Sequence, residues 1–145
     1  MPHNQDIQLA TALRGLITLL VKKLRKESAT GSKLSLTERS TMSLLYQHKK
    51  LMPTELASME KITNQSMSAV LNNLDELGYI TRAVSDTDKR KQLISLSKLG
   101  EQTLTQVRSE RDEWLAKAIR ETCTPEEQEW LWRAMIPLKK LVDFE

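Results

Sequence analysis

Residues 63–97 read TNQSMSAVLNNLDELGYITRAVSDTDKRKQLISLS, and this stretch decides the fold. Thr63 is a favourable helix N-cap and Gly78 is the residue type that ends many helices, so a helix is predicted between them. A polar turn at 85–91 then separates two segments of strand composition, which are residues 79–84 and 92–97. The stretch therefore predicts a helix followed directly by a β-hairpin with an exposed tip.

The predicted helix has two chemically different faces. Its apolar residues recur at three- and four-residue spacing and form a buried stripe: Met67, Val70, Leu71, Leu74 and Leu77. Its other face carries short, neutral side chains: Asn64, Gln65, Ser66, Ser68, Ala69, Asn72 and Asn73. A face without long charged side chains can approach DNA base edges closely. The alternative is a solvated face without function, and the position of the helix before a hairpin favours the DNA-reading interpretation.

Three helices are predicted upstream of this stretch. A long amphipathic helix covers about residues 6–27, and the small-residue loop 28–32 ends it. A second helix is predicted to begin with Thr37 as N-cap and to end near the basic residues 48–50. Pro53 opens a short third helix, since proline is tolerated in a first helical turn. The residues of the third helix that are predicted to face inward are Leu56, Ala57 and Met59.

Two further helices are predicted downstream, over residues 98–122 and after Thr124. Thr124 and Glu127 have the spacing of a capping box for the last one. A chain of 145 residues with 39% hydrophobic and 28% charged residues supports one domain rather than two. The predicted fold class is mainly α with a small β-hairpin.

Composition argues against membrane insertion and export. The longest apolar run, residues 16–21, is far shorter than the roughly 20 residues of a membrane-spanning helix. The N-terminus lacks a basic region followed by a uniformly apolar segment. Cys123 is the single cysteine, so no internal disulfide is expected and a cytoplasmic location fits. An inert thiol is favoured over a redox switch at this position.

Charge points to a polyanionic partner more than to catalysis. The net charge is +3, and residues 1–100 hold 15 Lys and Arg against 9 Asp and Glu, whereas residues 101–145 hold 7 against 10. A basic surplus favours binding to phosphates through counterion release. His3 and His48 have no partners at metal-ligand or catalytic spacing, so no enzyme activity, metal or cofactor is expected. A small enzyme is the least favoured class.

The order of elements is that of a winged helix-turn-helix, in which the polar helix enters the major groove. At this point the chain resembles the MarR family of transcription regulators. The resemblance rests on three stretches, MPTELA at 52–57, LDELGYITR at 74–82, and DKR at 88–90 leading to SLSKLG at 95–100. It covers nearly the whole chain and implies a DNA-binding regulator that forms homodimers.

The resemblance gives the hairpin the role of a wing. Asp88 would shape it and Arg90 would reach into the minor groove, where narrow grooves attract cations. Ser85 and Thr87 depart from the family, which usually has an acid and a base there, so wing contacts are expected to be weaker or shifted. Ala69 and Asn73 occupy positions where relatives often carry arginine.

The predicted base-reading residues are Asn64, Gln65, Ser66 and Ser68. The other predicted DNA-binding residues, which would hold phosphates or contact the minor groove, are Thr54, Asn72, Arg82, Lys89, Arg90 and Lys91. These assignments give a DNA-binding lobe of about residues 30–100.

The terminal helices, about 6–27 and 101–145, are predicted to be dimerisation arms, because long amphipathic arms bury their apolar stripes well against a twin. The residues assigned to this interface are Leu9, Leu13, Leu16, Trp130, Leu131, Leu138 and Leu141. Packing within one subunit remains the alternative for the three tryptophans.

The leading functional hypothesis is a repressor that binds an inverted-repeat operator as a homodimer. The resemblance also implies an effector pocket between the arms and the DNA-binding lobe, for a small aromatic or anionic molecule. The alternative from another class is a dimeric winged-helix module that binds protein and does not read DNA.

Overall fold

Helices account for most of the chain, and one antiparallel hairpin interrupts them. The computed structural model describes residues 2–145, without the side chain of Pro2. The elements are α1 (Pro2–Glu27), a 3₁₀ turn (Gly31–Lys33), α2 (Leu36–His48), α3 (Pro53–Glu60), α4 (Asn64–Glu76), β1 (Ile80–Val84), β2 (Gln92–Leu96), α5 (Lys98–Thr122) and α6 (Pro125–Val142). This confirms the predicted fold class. Over the residues described, none of the helices has the length and apolar character that crossing a bilayer requires.

The helix boundaries at the centre of the chain follow the sequence signals. The Thr63 hydroxyl accepts a hydrogen bond from the Ser66 amide at 3.0 Å and caps α4. Gly78 has a φ of +78°, the left-handed conformation that a residue with a Cβ rarely adopts. Thr124 and Glu127 form the predicted capping box of α6. These signals mark both ends of α4 and the start of α6.

The start of α2 differs from the prediction, because Ser35 rather than Thr37 is the N-cap. The Ser35 hydroxyl accepts from the Glu38 amide at 3.0 Å, and the Glu38 carboxylate accepts from the Ser35 amide at 2.8 Å. Only Ser35 has an acidic residue three positions later, so only Ser35 can form this reciprocal pair. Thr37 lies inside the first turn.

The core lies between α2, α3, α4 and the inner face of the hairpin. The Leu51 amide donates to the Ile94 carbonyl at 3.0 Å and the Ile94 amide donates back at 2.8 Å, which ties the hairpin to the loop before α3. Met59 and Leu77 are exposed, contrary to prediction, because each sits near a helix end beyond the reach of the core. The most deeply buried side chains are Met42, Leu45, Leu56, Met67, Leu71, Leu74 and Ile94.

The start of α5 packs closely on the base of the hairpin. A Cβ on Gly100 would stand 2.1 Å from the carbonyl oxygen of Tyr79, so no larger residue fits without a shift. The Ser97 hydroxyl donates to the Gly78 carbonyl at 2.6 Å and its amide donates to the Tyr79 carbonyl at 3.0 Å. This contact fixes the start of α5 to the residues that join α4 to β1.

The two terminal arms expose much apolar surface. α1 packs against α5, and the hydroxyls of Ser28 and Thr30 donate to the Glu110 carboxylate at 2.5 and 2.9 Å. Among the residues assigned to dimerisation, Leu13 and Leu138 are half-buried and the others are exposed, Leu16 to 68%. Large exposed apolar side chains on α6 are Trp130, Leu131, Trp132, Met135, Ile136, Leu141 and Val142.

Candidate DNA-binding interface

The polar face of α4 is open to solvent. All four residues predicted to read bases, Asn64, Gln65, Ser66 and Ser68, are exposed, on the side opposite the buried stripe. The Thr63 hydroxyl donates to the Ser66 hydroxyl oxygen at 2.9 Å and leaves the Ser66 proton free to donate elsewhere. A hydroxyl or an amide in this setting can both donate to and accept from base edges.

Asn73 on the same helix is engaged within the chain. Its side-chain amide donates to the carboxylate of Glu38, which lies at the start of α2. Burial alone would raise the pKa of Glu38, but the hydrogen bonds from the Ser35 amide and from Asn73, with the charge of Arg25, outweigh it and leave the pKa lowered. The charged carboxylate therefore joins α2 to α4.

The tip of the hairpin contains a contact between Asp88 and Arg90. Asp88 accepts hydrogen bonds from the Arg90 amide at 3.0 Å and from the Arg90 Nε at 3.3 Å. The Arg90 side chain is nevertheless 91% exposed. Lys89 and Lys91 are exposed beside it. The hairpin tip thus holds three solvated cations, Lys89, Arg90 and Lys91, together with the carboxylates of Asp86 and Asp88.

Ser85 and Thr87, where the sequence departs from the family pattern, contact each other. Their hydroxyls lie 3.1 Å apart, and the Thr87 amide donates to the Ser85 hydroxyl at 3.3 Å. The Ser85 amide donates to the Lys91 carbonyl at 2.9 Å and closes the turn. Neutral hydroxyls therefore shape this part of the wing without an ion pair.

Arg82 and Asn72, both predicted to contact DNA, are hydrogen-bonded to each other. Arg82 Nη2 donates to Asn72 Oδ1 at 3.0 Å, Nε donates to Asp75 Oδ2 at 3.1 Å, and Nη1 donates to Gln92 Oε1 at 3.1 Å. The Arg82 side chain is 26% exposed. Sequence reasoning missed Asp75 and Gln92, because their link to Arg82 depends on how the hairpin folds back over α4.

Thr54, the remaining predicted contact, is exposed at the second position of α3. α3 and β1 both contact α4. The start of α3, the polar face of α4 and the wing thus belong to adjoining elements.

Among residues 2–145 there is no group of three or more His, Cys, Asp or Glu residues that could hold a metal.

A turn follows α3, where Lys61 has a left-handed φ of +55°, and it leads into α4 and the hairpin. This order of elements defines the class of protein as a winged helix-turn-helix transcription regulator. The profile of the MarR family matches residues 34–92. An HTH-type transcriptional regulator of Mycobacterium tuberculosis is 30% identical over 116 residues, which cover 80% of each chain. The chain belongs to the MarR family, whose members are DNA-binding regulators of transcription and are not enzymes.

Solved structures have the same fold. A transcriptional regulator of Pseudomonas aeruginosa superimposes with a TM-score of 0.82 at 31% identity, over 98% of this chain and 99% of that chain. A mutant MepR of S. aureus, solved bound to an oligodeoxyribonucleotide, superimposes with a TM-score of 0.70 at 20% identity, over 92% and 97% of the two chains. The similarity extends over the arms as well as the winged-helix lobe.

Proposed function

We propose that this regulator binds an inverted-repeat operator as a homodimer, represses transcription there, and releases the DNA when a small molecule binds. One observation carries the proposal: the exposed, uncharged face of α4 lies beside a hairpin whose tip holds three solvated cations. A reading helix in the major groove and a cationic wing on the adjacent backbone or minor groove match that pair of surfaces. The MepR structure with bound oligodeoxyribonucleotide supports this use of the fold.

The proposed contacts divide by chemistry. The amides and hydroxyls on the polar face of α4 read base edges, because each can donate and accept hydrogen bonds. Lys89 and Lys91 neutralise phosphates, Thr54 donates to a phosphate oxygen, and Arg90 enters the minor groove. The residues assigned to base reading are Asn64, Gln65, Ser66 and Ser68.

The unburied apolar surface of the arms supports the proposed homodimer. Leu141 at the end of α6 lines one groove together with Leu9, Leu13 and Ile17 of α1, so the two arms present a shared surface. Exposed apolar area of this extent marks an interaction site in a soluble protein. In the proposed domain organisation, residues 6–27 and 101–145 dimerise and residues 30–100 read DNA. A twofold dimer matches an inverted repeat.

An anionic effector is favoured by Arg111 on α5. Within residues 2–145, the buried Nε and Nη2 atoms of Arg111 have no hydrogen-bond partner. Burial, and after it the positive charge of Arg25, lowers the pKa of Arg111. Both donors are closed to solvent, so a carboxylate could bind here only if α1 and α5 moved apart; it would then satisfy both donors and offset the repulsion between the two guanidinium groups. Arg25 also donates to the Leu34 carbonyl ahead of α2, so this site adjoins the DNA-binding lobe.

Selection from random duplexes tests the proposal. The purified protein is expected to enrich an inverted repeat and to bind it more tightly than a scrambled duplex, with an affinity that falls steeply with salt. Gln65→Ala and Ser66→Ala should each reduce binding to the enriched duplex, by about 1–3 kcal/mol for a lost base contact. Ser109→Ala, on α5, is the matched control and should bind as the wild type does.

The alternative is a dimeric module that binds protein, and the absence of any Lys or Arg in α4 is what favours it. A stable dimer that enriches no duplex would support that function and contradict the proposed one. A duplex enriched by the wild type and bound equally well by both α4 variants would contradict the base-reading assignment.

Benzoate, as a small aromatic carboxylate, tests the effector proposal. It is expected to raise the Tm of the wild type and to weaken binding to the enriched duplex. Arg111→Met removes the charge and keeps much of the volume, so this variant should bind DNA and show neither response to benzoate. Equal responses in the variant and the wild type would exclude Arg111 as the anion ligand.

A further inference from the structure

We infer that Arg82 is a positioning residue that fixes the wing against the reading helix, and that it does not serve as a phosphate ligand. The inference rests on the proposed function, because it concerns how the same interface is held in its reading geometry. It reassigns Arg82 and Asn72, both of which the sequence had placed among the DNA contacts.

The guanidinium of Arg82 uses each of its three nitrogens within the chain. Its acceptors are Asp75 and Asn72 on α4 and Gln92 on β2, all at 3.0–3.1 Å. Asn72 and Asp75 are three residues apart and so lie on one side of the helix. The planar guanidinium has donors pointing in several directions and can bond all three acceptors at once. A lysine ammonium is a compact point charge and cannot.

The register of the hairpin explains why Arg82 faces α4. Arg82 pairs with Ile94, and Ile80, two residues earlier on the same strand, is buried in the core. Side chains alternate along a strand, so Ile80 and Arg82 share the inner face. Thr81 and Ser95 meet on the outer face, where their hydroxyls lie 2.7 Å apart. The backbone therefore directs Arg82 inward.

Electrostatics also favours a positioning role. Asp75 forms an ion pair with Arg82 at 3.1 Å, so the positive charge is already compensated before DNA arrives. Three of the five N–H donors of Arg82 are used within the chain, so a phosphate could reach only the two remaining Nη hydrogens, and it would meet them beside the half-exposed Asp75 carboxylate. Lys89 and Lys91 form no ion pair in the described part of the chain and meet a phosphate without a paired carboxylate.

The consequence is a fixed angle between two surfaces that must touch DNA together. β1 is joined to α4 through Leu77, Gly78 and Tyr79, and Arg82 adds a second connection at the third residue of the strand. With both connections, the wing and α4 meet the duplex as one rigid unit. Loss of the second connection should lower discrimination between sequences more than it lowers the general attraction to DNA.

Three variants separate positioning from phosphate binding. Arg82→Lys keeps the charge and loses the fork, and Gln92→Ala removes one acceptor without changing charge. Arg82→Gln combined with Asp75→Asn removes both charges of the ion pair and leaves the net charge of the protein unchanged. Lys89→Gln serves as the comparison for a true phosphate ligand. Each variant is first checked for cooperative thermal unfolding, and binding to the enriched and the scrambled duplex is then titrated over a range of salt concentrations.

If Arg82 positions the wing, Arg82→Lys should lower the ratio of enriched to scrambled affinity by about tenfold, which corresponds to one charge-assisted hydrogen bond. Gln92→Ala should lower the ratio less, and combining the two changes should give less than the product of their separate effects. The neutral double variant should leave the dependence of log affinity on log salt unchanged, whereas Lys89→Gln should reduce its slope by about 0.9.

The opposite result would overturn the inference. Arg82 would be a phosphate ligand if two results were found together. Arg82→Lys and Gln92→Ala would bind both duplexes as the wild type does, and in the neutral double variant the slope of log affinity against log salt would be smaller by about 0.9. Failure of the wild type to enrich any duplex would instead contradict the proposed function itself, so the two failures are distinguishable.

Discussion

The side-chain amide of Asn73 on α4 donates a hydrogen bond to the buried carboxylate of Glu38 on α2, 35 residues earlier in the chain. Glu38 also caps α2 through the Ser35 amide. The Glu38 carboxylate therefore caps the start of α2 and also accepts a hydrogen bond from the side of α4. Asn73 is itself exposed on the polar face of α4, so this contact lies at the edge of the surface proposed to meet DNA.

Glu38→Gln should destabilise the protein, and the difference from the wild type should depend on pH. The pKa of Glu38 is lowered in the folded state, so its stabilising contribution is complete above its ordinary value and is lost as pH falls through the folded value. The advantage of the wild type should therefore shrink below about pH 4.3. Urea denaturation of both proteins from pH 7 to pH 3 measures this, and a constant difference would contradict it.

Asp88→Ala and Asp88→Asn should separate the shape of the wing from its charge. Both remove a negative charge near the DNA, but only Asn keeps an oxygen that can accept from the Arg90 amide. Asp88→Asn is therefore expected to bind the enriched duplex more tightly than Asp88→Ala, by roughly 1 kcal/mol for one hydrogen bond. Equal affinities in fluorescence anisotropy would mean that Asp88 does not shape the wing.

Leu16→Asp should weaken the dimer. Leu16 is 68% exposed in the single chain and lies on the arm proposed to pair with a twin. Burying an unpaired carboxylate in such an interface is strongly unfavourable. Sedimentation equilibrium should show dissociation at concentrations where the wild type is dimeric. Lys22→Asp, also exposed on α1, is the control, and an equal effect of the two changes would argue against a Leu16 interface.

Gly100→Ala should destabilise the fold by about 1–3 kcal/mol, because the added Cβ meets backbone atoms of Tyr79 that cannot move aside freely. Gly15→Ala provides the contrast. A Cβ at Gly15 has no neighbour within 4 Å, and alanine favours the helix by roughly 0.5–1 kcal/mol. Urea denaturation at equal protein concentration compares both variants with the wild type. A neutral Gly100→Ala would mean that α5 can slide along the hairpin.

Local signals allowed most of the fold to be predicted. Thr63 and Gly78 mark the ends of α4 because capping and left-handed geometry depend on residues close in sequence. The N-cap of α2 was predicted wrongly at Thr37, although the acid three residues after Ser35 was the available signal. The inward placement of Met59 failed for a different reason, since burial near a helix end depends on which elements pack there.

The sequence allowed the kinds of side chain at the candidate site to be predicted. It did not allow the hydrogen bonds among those side chains to be predicted. The exposure of Gln65 and the solvated wing cations follow from composition and from the alternation of apolar and polar positions. The bonds of Arg82 to Asn72 and Gln92 span ten residues in each direction. They depend on the hairpin register and on its packing over α4, which no local pattern encodes.

The absence of cationic side chains from α4 has a consequence for how this regulator would search a genome. Attraction to arbitrary DNA comes from neutralised phosphates. The exposed cations nearest to the polar face, Lys61, Lys89, Arg90 and Lys91, all lie outside α4. A polar face without cationic side chains adds little to the affinity for non-specific DNA sites, and these sites outnumber the operator by many orders of magnitude. Under the proposed function, fewer molecules would be sequestered along the chromosome, and a smaller copy number per cell would keep the operator occupied.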